Sequence, residues 1–393
     1  MNYIDRFEKM GFGMFVHFGL YSVIGKGEWI NSIEGYSNDV YAKYADKFKV
    51  KKNWAKELVS CAKKAGCKYV TLTTRHHDGF SLYDTKGLSK FDTVNTACGR
   101  DLVKEFVDEC NKQGLVPFFY HTLLDWKVAE YQQDFDKYID YLISSIQLLC
   151  TNYGKIGGFW FDGWWDKPDA NWQFDRLYGM IRKYQPEAMI INNTGIDMRG
   201  KVGHPEIDSV TFERGKPTYI DQSDKHRAGE MCQVFNDHWG YASNDVNYKS
   251  VATIIGDLVD CRCYGCNFLL NVGPLGNGAL RTIDKGFLEV IGKWVKVNKN
   301  FIYDAKPCDI QAENAKVLFD GKYYYAVIKD VCMSANENVA LGGTVENVKI
   351  FADVKNAIWL DDGHPAEING NEIITEPFDY GTSLAIRIVR FEI

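Results

Sequence analysis

From its first residues to about residue 300, the chain alternates short, wholly apolar runs with amphipathic stretches, and then its texture changes. Residues 11–19 (GFGMFVHFG) read as a buried strand, and residues 52–65 place apolar side chains at helical spacing before a stop at Gly66. Further strands are predicted over 69–74, 116–121, 159–161, 189–193, 209–213 and 267–273, with a strand-to-loop segment over 231–241. Between them, helical patterns cover 101–113, 131–152, 173–184, 249–262 and 283–297; Asp101 is the start signal and Gly114 the stop of the first. Strands that alternate with helices predict a parallel sheet covered by helices. About eight strands in roughly 300 residues predict an α/β fold, a (β/α)8-type TIM barrel, with a weak or missing helix between strands five and six. A doubly wound open sheet is the alternative, but no glycine-rich phosphate loop follows any strand.

Beyond residue 305, short strand-like runs at 315–319, 323–328, 348–351, 358–360, 373–374 and 384–391 are separated by Asp320-Gly321, Asp362-Gly363 and Asn369-Gly370. These are turn signals, and the tail reads as a smaller C-terminal β-sandwich. The expected division is a catalytic barrel over residues 1–304 and a sandwich over 305–393.

Composition narrows the class. Of 393 residues, 46% are hydrophobic and 25% charged, as in an ordinary globular protein, and the net charge of −6 argues against a nucleic-acid surface. No apolar run is long enough to span a membrane, and the first residues lack the layout of a signal peptide. The eleven cysteines are odd in number and scattered, so reduced thiols and a cytoplasmic setting are expected. Cys261, Cys263 and Cys266 resemble half a metal knuckle without a second half. A homo-oligomer is compatible with this composition but not specified by it.

The candidate chemistry gathers at strand C-terminal ends, the face where such barrels place their sites. Asp162 ends the run Phe159-Trp160-Phe161, and Gly163, Trp164 and Trp165 follow. A buried carboxylate is costly without partners, so a carboxylate ringed by indoles points to an anionic nucleophile or base in an aromatic-walled sugar pocket; a turn-capping Asp beside core rings is the plainer alternative. Trp160, two residues earlier on the strand, shares its face. Glu213 ends the sixth strand and supplies the second carboxylate that glycoside hydrolysis requires, at a separation of about 5–5.5 Å if the reaction retains configuration. Arg214 and Lys216 offer Glu213 a mere salt bridge, and Glu230 is a rival acid. His76 and His77 follow strand two: as neutral imidazoles they would donate to sugar hydroxyls, or with His17 or Asp162 they would bind a metal. Glu28 and Trp29 lie in a glycine-rich loop after strand one, and Tyr120 near the end of strand three.

Six ordered motifs carry a resemblance. They are GMFVHFGLYS (13–22) with GEW (27–29), RHHDGFSLYDTK (75–86), RDLVKEF (100–106), FWFDG (159–163), GEMCQVFNDHWGY (229–241) and NFLLNVGPLGNG (267–278). The chain in this respect resembles the α-L-fucosidases of glycoside hydrolase family 29. The resemblance implies a retaining, exo-acting hydrolase of terminal α-L-fucose on glycans, with no metal or other cofactor and no nucleic-acid or membrane partner. It implies Asp162 as nucleophile, Glu213 as acid/base, and His17, Glu28, Trp29, His76, His77, Tyr120, Trp160 and Trp239 as the lining of the fucose pocket. Thr194 stands where many members carry an arginine, and residues 195–229 match the family poorly. Two rivals remain: a metal-dependent hydrolase built on His76, His77 and Asp162, and a non-catalytic fucose-binding barrel.

Overall fold

A computed structural model describes residues 1–334 and 346–393 of the chain. Eight parallel strands close into a barrel in chain order: β1 (Phe12–Val16), β2 (Tyr69–Arg75), β3 (Val116–Thr122), β4 (Gly158–Asp162), β5 (Met189–Asn192), β6 (Ser209–Glu213), β7 (Ala228–Val234) and β8 (Asn267–Val272), with β8 pairing back to β1. The strands are mostly apolar and almost wholly buried because a barrel strand is covered on both faces. Alternate side chains fill the interior: Phe15, Tyr69, Phe118, Tyr120, Trp160, Met189, Ile191 and Leu269 share one buried cluster. Fully burying one such aromatic or aliphatic side chain is worth about 1.5–3 kcal/mol. The pairing Tyr120 with Trp160 and Thr122 with Asp162 carries the ends of β3 and β4 to one level at the barrel mouth.

The longer helices are α1 (Trp54–Ala65), α2 (Leu102–Gln113), α3 (Phe135–Asn152), α4 (Phe174–Tyr184), α5 (Val251–Cys263) and α6 (Thr282–Val297). Asp101 caps α2 by accepting from the Lys104 amide at 2.9 Å, and left-handed Gly114 ends it. The RDLVKEF motif is a structural clamp: Arg100 pairs with Glu105 at 2.7 Å, and Trp54 of α1 donates to the same carboxylate at 2.8 Å. Between β5 and β6 the chain forms only the one-turn helix Ile196–Met198, as the weak pattern there predicts.

Several expected boundaries are corrected. The single helix over 131–152 is two helices, Glu130–Gln133 and α3, because Asp134 leaves helical geometry and accepts from the Lys137 amide as the N-cap of α3. The strand placed at 231–241 is β7, which begins at Ala228. The strand placed at 358–360 runs over Lys355–Trp359.

Two compact units result: Met1–Tyr248 with Asn267–Leu288, and Lys249–Cys266 with Glu289–Ile393. The first holds all eight barrel strands. The second holds α5 and two antiparallel sheets. Its strands are β9 (Lys306–Pro307), β10 (Ala312–Glu313), β11 (Lys316–Phe319), β12 (Tyr324–Ile328), β13 (Val348–Ile350), β14 (Lys355–Trp359), β15 (Ile368–Asn369), β16 (Glu372–Ile373) and β17 (Arg387–Glu392). One sheet has the order β10-β13-β16-β15 and the other β14-β17-β12-β11-β9. Val317, Ala326, Val348, Ile350, Trp359 and Val389 pack between them as the core of the sandwich. The cysteines at 261–266 close α5, with the Cys266 amide donating to the Cys261 carbonyl at 2.8 Å. Among the described residues no helix is long and apolar enough to cross a membrane.

Candidate active site

The C-terminal strand ends surround a cavity of about 580 Å³, lined by residues from β1, β3, β4, β6 and the loops that follow the strands. All ten residues expected to form a site lie on its wall: His17, Glu28, Trp29, His76, His77, Tyr120, Trp160, Asp162, Glu213 and Trp239.

Asp162 is the last residue of β4 and sits inside a ring of donors. Tyr120 donates to Oδ2 at 2.9 Å, Trp165 to Oδ1 at 3.0 Å and Asn193 to Oδ1 at 3.2 Å, while His77 Nε2 stands 3.5 Å from Oδ2. Gly163 makes this ring reachable. Its φ of 93° turns the chain sharply so that Trp165 points back, and a Cβ there would lie 2.8 Å from the Leu124 amide nitrogen. Burial works against ionisation of Asp162, but His77, Trp165 and Tyr120 outweigh it and hold the carboxyl at about 2.

Glu213, the last residue of β6, is shifted the other way. Burial raises its pKa first and the Asp162 charge second; a hydrogen bond from Asn193 at 2.7 Å opposes both in part. One amide nitrogen thus bridges the two carboxylates. Two environments that push like groups apart in this manner divide the roles of base and acid.

The remaining wall is sorted by its own partners. Glu28 Oε2 accepts from the backbone amides of Trp239 at 3.1 Å and Gly240 at 2.8 Å, which fixes it at the pocket edge. Trp29 packs edge-on to His77 and Trp126 and stacks on Trp165, with ring centroids 5.6, 5.0 and 5.9 Å away. Trp160 stacks on Tyr120 at 5.8 Å and meets Phe15 at 5.0 Å. Trp239 lies 5.1 Å from the His17 ring, under the Arg214 guanidinium.

The protonation of His17 and His76 follows from their partners and their burial. Asn271 donates through Nδ2 to the Trp239 carbonyl at 2.7 Å, so its Oδ1, 2.6 Å from His17 Nδ1, must accept. Burial pushes the His17 imidazole down to about 3, so the ring is neutral and its Nε2 can only accept from a ligand, not donate. Burial and its neighbours His77 and His17 also keep His76 neutral, and its Nδ1 has no partner among the described residues.

Glu230, the rival acid, lies on β7 away from the cavity. Tyr69 donates to one carboxylate oxygen and Trp160 Nε1 to the other at 2.9 Å, and burial lifts the group to about 7. It supports the floor from below. As for a metal, the one convergent cluster of His, Cys and acidic ligands among the described residues is Asp5, Glu8 and His226 on the surface, and His76, His77 and Asp162 form none.

Trp165, expected only as one of the indoles near Asp162, is a direct donor to it, and Asn193 and Arg214 were not expected in the site. Thr194, in the arginine position, lines the cavity but spends its hydroxyl on the Met198 carbonyl at 2.5 Å.

Residues 2–300 match the family described as Alpha-L-fucosidase. The chain is 27% identical to the tissue alpha-L-fucosidase of Bos taurus over 350 residues, 80% of this chain and 72% of that protein. To the tissue alpha-L-fucosidase of Rattus norvegicus it is 28% identical over 351 residues, covering 79% and 72%. Alpha-L-fucosidase isoenzyme 1 from Paenibacillus thiaminolyticus superposes with a TM-score of 0.86 at 29% identity, over 99% of this chain and 98% of that one. An alpha-L-fucosidase GH29 from Bacteroides thetaiotaomicron shares the fold, with a TM-score of 0.82 at 23% identity over 99% and 94%.

Proposed function

The chain belongs to the α-L-fucosidase family of glycoside hydrolases, and from that premise we propose that it releases terminal α-L-fucose by double displacement, with Asp162 as nucleophile and Glu213 as acid/base. In the first step an Asp162 oxygen attacks the anomeric carbon. The bond to the leaving oxygen breaks, and its electron pair takes the proton held by Glu213. In the second step Glu213 removes a proton from water, the water oxygen attacks the same carbon, and the Asp162 carboxylate departs. Glu213 ends protonated, as it began, and the sugar keeps its α configuration.

The observation that carries this reading is the shared Asn193 amide. Two oxygens bonded to one nitrogen at 3.2 and 2.7 Å lie no more than about 6 Å apart, which suits the ~5–5.5 Å separation of retaining enzymes. The opposite shifts of the two acids support the division of labour: one is charged at any working pH, the other holds a proton longer than an ordinary glutamate. The neutral His17, the unpartnered His76 nitrogen and the Trp29, Trp160 and Trp239 rings supply polar and apolar faces for a deoxy sugar.

Chemical rescue tests the assignment. Asp162→Gly should lower turnover of an aryl α-L-fucoside by at least about a thousandfold, and added azide should restore it with formation of a fucosyl azide. Near-normal activity without azide would reject Asp162 as the nucleophile.

A further inference from the structure

We propose that Thr122, which does not line the cavity, is a positioning residue that commits both ring nitrogens of His77 to donating, so that His77 stands in the resting enzyme as the counter-cation of Asp162. A threonine hydroxyl has one hydrogen. Thr122 Oγ1 makes its short hydrogen bond to the Leu124 carbonyl, which can only accept, so the hydrogen is spent there. What Thr122 offers His77 Nδ1, 2.7 Å away, is a lone pair, and Nδ1 must carry a proton. The other nitrogen, Nε2, stands 3.5 Å from Asp162 Oδ2. A neutral ring with its proton on Nδ1 would turn a lone pair on the carboxylate. A neutral ring with its proton on Nε2 would turn one on Thr122. The ring protonated at both positions satisfies both neighbours.

The surrounding charges favour the same state. From β4 His77 faces Asp162, and buried Asp78 and Asp125 act on it from the turn after β2 and the loop after β3. Arg75 offsets Asp125 at 3.7 Å, and Tyr41 donates to Asp78 at 2.6 Å. His76, with its ring centroid 4.2 Å away, is neutral, and Trp29, Trp126 and Trp165 add ring contacts at 5.6, 5.4 and 5.9 Å. The cavity wall holds the carboxylates Glu28, Asp162 and Asp197 against the single guanidinium of Arg214, so a further positive charge there is attracted. His17 is the internal contrast. Its Nδ1 proton goes to Asn271, no carboxylate stands within hydrogen-bonding reach of its other nitrogen among the described residues, and it is neutral.

The inference rests on Asp162 as the nucleophile, and its deciding readout does not depend on turnover. Enzyme labelled with ¹⁵N-histidine reports each ring nitrogen, with the His77 signals assigned by their loss in His77→Gln. In the unmodified enzyme at neutral pH both His77 nitrogens should show protonated shifts. Thr122→Ser, which keeps the hydroxyl, should keep that signature. Thr122→Val should leave a single protonated nitrogen, and kcat/KM should fall by about tenfold, the scale of one charge-assisted hydrogen bond. One protonated nitrogen in the unmodified enzyme overturns the proposal whether or not the valine variant folds. Two protonated nitrogens in Thr122→Val, or one in Thr122→Ser, overturn it as well. Failed azide rescue of Asp162→Gly beside an intact two-proton signature would reject the nucleophile reading instead.

Discussion

Asp162 and Glu213 bear the same functional group, share one amide donor, and are driven in opposite directions by what else surrounds them. If Glu213 is the acid, Glu213→Ala should slow fucosides with poor leaving groups by about a hundredfold or more and activated aryl fucosides far less. A Brønsted series over leaving groups measures this. Glu230→Gln should show no such dependence, because Glu230 meets Trp160 and Tyr69 rather than the cavity. Its signature is in stability. Glu230 titrates near 7 in the fold against 4.5 in the unfolded chain, so its contribution is whole below about pH 4.5 and is lost as pH rises to about 7, a total of roughly 3 kcal/mol. Denaturant melts across that range should show this decline in the parent and a flatter profile in Glu230→Gln. Trp160 was legible with Asp162 because the two-residue repeat puts both on one face, and Glu213, His17 and the His76-His77 pair because they fall at or just past strand ends. The hydrogen bonds of Asn193 and Trp165 to Asp162 were not, since they depend on how the chain turns after β4 and β5. Arg214 read as a salt-bridge partner for Glu213, whereas it also stacks on Trp239 and donates to the Asp237 carbonyl at 2.8 Å.

Among the elements, the barrel strands were legible as apolar runs bounded by glycine or polar residues. The break at Asp134 was not: Tyr131 and Tyr138 both fall on the buried stripe across it, so the helical period runs on while the backbone departs. What binds element to function is the turn after β4. Gly163→Ala places a side chain at φ 93° and against Leu124, a cost of about 2 kcal/mol or more. Its thermal midpoint should drop by several degrees, and kcat should fall as Trp165 loses its hold on Asp162. An unchanged midpoint and unchanged kcat would show that the tight turn is dispensable.

For the molecule as a whole, the closed order β1 to β8 brings residues distant in sequence to one mouth: His17, His77, Asp162, Glu213 and Trp239 line a single cavity. Alternation of strand and helix made that architecture readable, and turn signals made the sandwich readable, whereas the pairing of α5 with the second unit carries no sequence mark. The central claim is that two acids flank one glycosidic bond at a separation that suits a retaining enzyme. The stereochemistry of the first product tests it most directly. Proton NMR during early hydrolysis of an aryl α-L-fucoside should show α-L-fucose appearing first, with the β anomer growing in only by mutarotation; β-L-fucose as the initial product would contradict the account.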